Sequence, residues 1–344
     1  MLKSSTYIYL VSRVHGLSTR LMSRGELESL SKTQNFASFL ETLSGEEYVR
    51  RLSSIQGEEV DARLASRVFA DVYVDRLVHL VRITSGKYRD FLLSFLKRVE
   101  IENIKRVLRA KMGGRDISVE VLLPLPREFT SVNFNDLVNV KSLDDVQFHL
   151  TPTIYRGASE AFQIAKNMVS TYPVELILEN IYFLNLLASA SKLPSSKKVV
   201  DLIRNEYAST VVFNILAIKF LDAPLTIFEK YSRQISKGMG VSSDYVNDLL
   251  RAREDTFSSL LRASRFAWIS ANIEDGIESR DVAELYNSIK RGFRIYYESV
   301  SRRDPLGITY LLWYLYTVEY EYLNLSLIAT AKELGLKPEE IKLY

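Results

Sequence analysis

The chain has 344 residues, no Cys, 47% hydrophobic and 25% charged residues, with 45 basic against 42 acidic side chains. Without Cys, disulfides and thiolate metal sites are excluded. A formal net charge of +3 is too near balance to argue for nucleic acid, and eight Pro with fourteen Gly leave little room for a turn-rich all-β fold.

Along the chain the apolar positions follow a helical period. Leu64, Val68, Val72, Leu77 and Leu80 form one stripe, with the pairs Glu59/Arg63 and Arg67/Asp71 on another face. Phe91, Leu92, Phe95, Val99, Ile104, Val107 and Leu108 form the next, which Gly113-Gly114 would stop. Ile117 to Leu123, before Pro124, is the best strand candidate and reads better as an extended linker. Pro173 opens a helix running to Leu187. Tyr207 to Phe220 is another, closed by Asp222-Ala223-Pro224, and Ser242-Ser243-Asp244 offers a cap for Tyr245 to Leu261. Leu311 to Leu334 follows Pro305 and ends at Gly335. A membrane-spanning helix needs about 20 apolar residues. The longest charge-free run, between Asp304 and Glu319, is too short, and the N-terminus shows no secretory signal pattern.

Sliding the chain on itself gives an echo with a period close to a third of its length. Asn103-Ile104 aligns with Asn214-Ile215 and Asn324-Leu325, with Val107, Ile218 and Ile328 in register. Leu27, Val138 and Leu249 match at the same period, as do Phe39, Leu150 and Leu261, with Thr42, Thr153 and Ser264 just after them. The reading is all-α, with three repeat domains at residues 1–115, 116–225 and 226–344. Asn103, Asn214 and Asn324 each share a helix face with apolar neighbours. A buried Asn must satisfy its amide, and can fix helix register by doing so. That structural role is favoured over ligand contact.

The stretch Arg98-Val99-Glu100-Ile101-Glu102-Asn103-Ile104-Lys105-Arg106-Val107-Leu108-Arg109-Ala110-Lys111 resembles the D-I-E-N-[IL]-K…L-R-x-K segment of the central-stalk C subunit of the A/V-type rotary ATPases. Tyr9-Leu10-Val11-Ser12-Arg13-Val14-His15 is similar to that family's Y-x-x-A-R-V-R opening, with Ser12 for Ala and His15 for the last Arg. Glu319 to Leu336 resembles its terminal E-x-x-N-L segment, and Pro338-Glu339-Glu340-Ile341 its final short helix. The middle copy departs, with Val211 where Glu100 and Glu321 stand. The resemblance implies three similar helical domains around a pseudo-threefold axis, forming a funnel. It implies a seat for the shaft subunits D and F on one side and docking onto the membrane proteolipid ring on the other. It implies a peripheral protein on the cytoplasmic side of the membrane that transmits torque and binds no nucleotide.

No catalytic, metal or cofactor constellation is read. Gly86-Lys87 has Val81 and Tyr88 where a phosphate loop needs Gly and Ser or Thr. Gly238-Met239-Gly240 reads as a turn between helices. His15, His79 and His149 have no metal spacing, and His79 reads as a packing residue. Glu46-Glu47, Glu58-Glu59 and Asp144-Asp145 read as helix-start carboxylates. Lys290, Arg291, Arg294, Arg302 and Arg303 read as a solvated helix face. Charge in expected loops and helix ends nominates Arg20, Arg24, Lys197 and Lys198 as partner contacts. The competing reading is an α-helical repeat scaffold for peptides or RNA, which salt-sensitive RNA binding would favour.

Overall fold

The computed structural model describes residues 5–55, 60–194 and 196–344. Glu58 and Glu59 therefore lie outside the described residues. The helices are α1 (Ser5–Ser18), α2 (Arg24–Ser31), α3 (Phe36–Thr42), α4 (Glu46–Ser53), α5 (Ala62–Arg82), α6 (Gly86–Met112), α7 (Phe134–Leu137), α8 (Leu143–Leu150) and α9 (Ser159–Met168). They continue with α10 (Tyr172–Ala190), α11 (Ser196–Phe220), α12 (Thr226–Met239), α13 (Ser243–Arg251), α14 (Glu254–Arg262), α15 (Ala267–Ser270), α16 (Glu274–Ser279), α17 (Val282–Arg302) and α18 (Ile308–Glu333). Among the described residues there is no strand, and no helix is long and apolar enough to cross a membrane. The strand candidate is a 3-10 turn at Val119–Val121 followed by extended chain.

The starts and stops follow cap chemistry. Asp61 accepts from Leu64 N at the head of α5, and Ser142 forms a capping box with Asp145 at the head of α8. The three longest helices end alike. Arg115 N donates to Ala110 O at 2.9 Å, Ala223 N to Ile218 O at 3.2 Å and Leu336 N to Ala331 O at 2.9 Å. Each turn has a left-handed residue before the donor: Gly114, Asp222 and Gly335. At the first and third, glycine meets no side-chain penalty.

The chain packs as two compact units, Met1–Arg89 with Tyr297–Tyr344 and Asp90–Tyr296. In the first, α18 lies along α5, with α1, α2 and α3 against α18 and α4 against α5. Leu27, Leu30, Phe39, Tyr48, Phe69 and Val72 meet Leu325, Ile328 and Ala329 in one apolar core. Phe69 takes the edges of Phe39 and Tyr48 at 6.3 and 5.4 Å between ring centres. The N-terminal short helices thus close on the last helix.

In the second unit α10 packs on α9, α11 and α12. Asn180, wholly buried, ties three of them: its Oδ1 accepts from Tyr207 Oη at 2.7 Å and its Nδ2 donates to Gln234 Oε1 at 2.9 Å. A Cβ at Gly238 would run into the Tyr207 ring, so α12 can approach α11 this closely only with glycine there. The expected single helix Tyr245–Leu261 is two, α13 and α14. Lys219 Nζ takes Leu250 O and Ala252 O, both at 2.8 Å, at the break. The backbone turns extended at Ala252 and Arg253, and the lysine holds the carbonyls that this break leaves without helical partners.

Candidate functional site: buried carboxylate nodes and basic surface positions

Two buried glutamates organise the polar chemistry of the interior. Glu321 on α18 accepts from Met22 N at 2.7 Å, Tyr48 Oη at 2.5 Å and Arg76 Nη1 at 2.7 Å. Arg76 Nε also donates to Glu47 at 2.9 Å. Burial alone would lower the Arg76 guanidinium, but the fields of Tyr48, Glu321 and Glu47 outweigh it and hold the pKa above its usual value. Burial, then the Glu321 charge, pushes the Tyr48 hydroxyl well up, so it stays a donor. A buried carboxylate with three donors is satisfied; stripped of one it would not be.

Glu100 on α6 repeats the arrangement in the other unit. It accepts from Ser131 N, from Val132 N at 3.1 Å and from Tyr155 Oη at 2.8 Å, and pairs with Lys97 at 2.7 Å. Burial and then Glu100 raise the Tyr155 hydroxyl well above its usual range. Neighbouring ion pairs tie α6 to α10 and α11: Lys105–Glu179, bidentate Arg109–Glu175 at 2.9 and 2.6 Å, and Arg98–Glu206 at 2.9 Å.

The three asparagines occupy two kinds of environment. Asn103 is buried; its Nδ2 donates to Leu123 O at 2.9 Å and its Oδ1 accepts from Leu123 N at 2.7 Å. Asn324 is buried and accepts from Tyr344 N at 2.8 Å. In each case the bonded backbone lies the same distance further along the chain. Asn214 is half-buried and donates weakly to Glu179 at 3.4 Å.

The nominated basic positions are spread over both units. Arg20 is exposed and pairs loosely with Glu47 at 3.5 Å; Arg24 is exposed and pairs with Glu28 on its own helix at 2.6 Å. Lys197 and Lys198 are exposed on the first turn of α11. Lys197 and Lys198 are adjacent in sequence, and Arg20 and Arg24 stand four residues apart. The histidines do not meet. His15 stacks on Tyr310 at 3.9 Å and donates through Nε2 to Pro305 O at 2.8 Å. His79 is held below its usual pKa by burial and then by Arg13 and Arg20. Glu46 and Glu47 lie in the first turn of α4, and Asp144 and Asp145 in that of α8. Among the described residues no group of His, Asp and Glu has metal-binding geometry.

The constellation Glu47–Arg76–Glu321–Tyr48 is not legible in the sequence. Glu47, Tyr48 and Arg76 come from the consecutive helices α4 and α5 but Glu321 from α18 at the other end of the chain, and no spacing announces that they meet. The signal that could have found half of it is the shared Glu-x-x-Asn at Glu100 and Glu321.

The ATP synthase (C/AC39) subunit family matches residues 10–344. The A-type ATP synthase C subunit of Pyrococcus furiosus is 22% identical, covering 99% of this chain and 90% of its own length. That of Methanosarcina mazei is 26% identical over 98% and 92%, and that of Methanocaldococcus jannaschii 23% over 98% and 85%. With the match running through both buried nodes and all three long helices, the chain belongs to the ATP synthase C/AC39 subunit family.

Proposed function

We propose that this chain is the C subunit of an A-type ATP synthase: a non-catalytic central-stalk adaptor that couples the rotating shaft, subunits D and F, to the membrane proteolipid ring. The observation that carries the reading is the family match over nearly the whole chain, at near full length of its relatives. The interior suits a mechanical part. Its buried charges are spent on holding helices together, and close-packed helices are stiff.

The adaptor is built from three similar helical domains, 1–115, 116–225 and 226–344, around a pseudo-threefold axis in a funnel. Supporting this, α6, α11 and α18 end in the same turn at Gly114, Asp222 and Gly335. Hydrogen bonds join α6 to the segment that follows it through Glu100 with Val132 and Tyr155, and α11 to its own through Lys219 with Leu250 and Ala252, while the N-terminal helices α1 to α3 pack on α18. The protein lies peripherally on the cytoplasmic side, with Arg20, Arg24, Lys197 and Lys198 on its partner-facing surfaces. Isolation of the tagged chain from membranes in mild detergent, with mass identification, tests this. D, F and the proteolipid should come with it, and charge reversal at the four positions should weaken that recovery. Recovery of none of the three partners would refute the adaptor reading; unchanged recovery by the reversed variant would remove those four contacts.

A further inference from the structure

Glu100 and Glu321 sit at matching places, one helical turn before Asn103 and Asn324. Each receives a backbone N–H from the opening of a short-helix segment, Val132 or Met22, and a tyrosine hydroxyl from further along it, Tyr155 or Tyr48. The remaining long helix, α11, carries Val211 at that place, wholly buried. The segment lying on α11 is fixed by Lys219 to Leu250 O and Ala252 O and by Trp268 Nε1 to Asn205 Oδ1 at 2.8 Å. In that segment, one repeat period after Tyr155, stands Phe266, also wholly buried. The two rings leave the same turn. Thr153 Oγ1 accepts from Tyr155 N at 3.1 Å and donates to Leu150 O at 2.7 Å; Ser264 Oγ accepts from Phe266 N at 3.0 Å and donates to Leu261 O at 2.8 Å. Where the carboxylate is absent, the hydroxyl is absent too.

We infer that the carboxylate–tyrosine pair is a pairing code that tells each short-helix segment which long helix to pack on. The inference rests on the threefold repeat proposed above. Three similar segments and three similar long helices in one chain create wrong combinations, and specificity among look-alikes needs a penalty on the wrong ones. The Tyr48 or Tyr155 segment placed on α11 would bury its hydroxyl against Val211 without an acceptor. The Phe266 segment placed on α6 or α18 would leave a buried glutamate without its hydroxyl donor. Arg76 adds a second distinction, because Glu321 has this arginine where Glu100 has Lys97. The apolar version at α11 shows that packing itself does not require the ions, in keeping with buried ion pairs acting through specificity.

The test converts one node to the α11 chemistry and does the reverse at α11. E100V alone orphans the Tyr155 hydroxyl together with the Ser131 and Val132 N–H groups and should be strongly destabilised, and E100V/Y155F should recover the share of that loss due to the hydroxyl. When the double variant is refolded from denaturant, its ratio of native monomer to misassembled chain, read by size-exclusion chromatography, should fall by on the order of tenfold, the discrimination of one unpaired buried group. In the reverse graft, V211E/F266Y should be more stable than V211E, because the hydroxyl finds its acceptor. Refolding of E100V/Y155F at the wild-type ratio would overturn the code, as would an E100V/Y155F no more stable than E100V or failure of F266Y to rescue V211E. An experimental structure in which α6, α11 and α18 with their segments do not superpose would defeat the repeat itself, an outcome separate from the refolding ratio.

Discussion

At the scale of single residues, the satisfied polar groups of the nodes contrast with a buried lysine nitrogen that has no hydrogen-bond partner. Lys332 is 3% exposed, its Nζ has no hydrogen-bond partner, and burial lowers its pKa. Lys332→Met should therefore raise stability by about 1 kcal/mol in denaturant unfolding, since it removes a buried cation that lacks a hydrogen-bond acceptor and keeps only the field of Glu339, while preserving the stem's contacts. Tyr48→Phe should lower it by about 1.5–3 kcal/mol, the range for a hydrogen bond to a charged group. His79 makes a pH prediction. Its folded pKa lies below the usual 6.5, so as pH falls through that value the unfolded chain takes up a proton before the folded one does. The contribution is intact above about pH 6.5 and is lost as pH falls toward the lower folded pKa. His79→Gln should flatten the decline of melting temperature between about pH 7 and 5; an unchanged slope would mean that His79 is not the group responsible.

Among the elements, the helices easiest to read are those with many turns of period. Phe91 to Leu108 and Leu311 to Leu334 mark out α6 and α18, and their stops fall at the glycines that cap them. The periodicity does not show α2, α3 and α4, because helices of seven or eight residues have too few turns to form a stripe. The helix expected from Tyr207 begins at Ser196, its polar start of Lys197, Lys198, Asp201 and Arg204 masking the period. Asn103 and Asn324 are legible as buried amides from their apolar faces. Asn180, which joins three helices, lacks a repeat partner to draw notice. Element packing gives its own prediction. Gly238→Ala improves helix propensity by about 1 kcal/mol, but its methyl meets the Tyr207 ring. Overpacking of about 1–3 kcal/mol should dominate and leave the variant less stable by about 1 kcal/mol or more. Tyr207→Leu should relieve part of that loss in a double-mutant cycle.

Over the whole molecule, the order of the chain and the order of packing are out of step. The N-terminal short helices serve the C-terminal helix, so one unit is assembled from both ends of the chain. Sequence periodicity could find the echo of Asn103, Asn214 and Asn324 but not this partnering, which depends on contacts such as Met22 N to Glu321 that span nearly the entire chain. Removing residues 1–55 should therefore strip α18 of its core partners and unfold that unit, seen as loss of the helical signal at ordinary temperature.

The most direct measurement of the central claim, that the protein works mechanically between shaft and ring, is ATP-driven ion uptake by vesicles reconstituted with the complex, with and without this chain. The account expects ATP hydrolysis by the catalytic head to persist without it, ion uptake to disappear, and uptake to return when the purified chain is added back. Ion uptake undiminished in its absence would contradict the account.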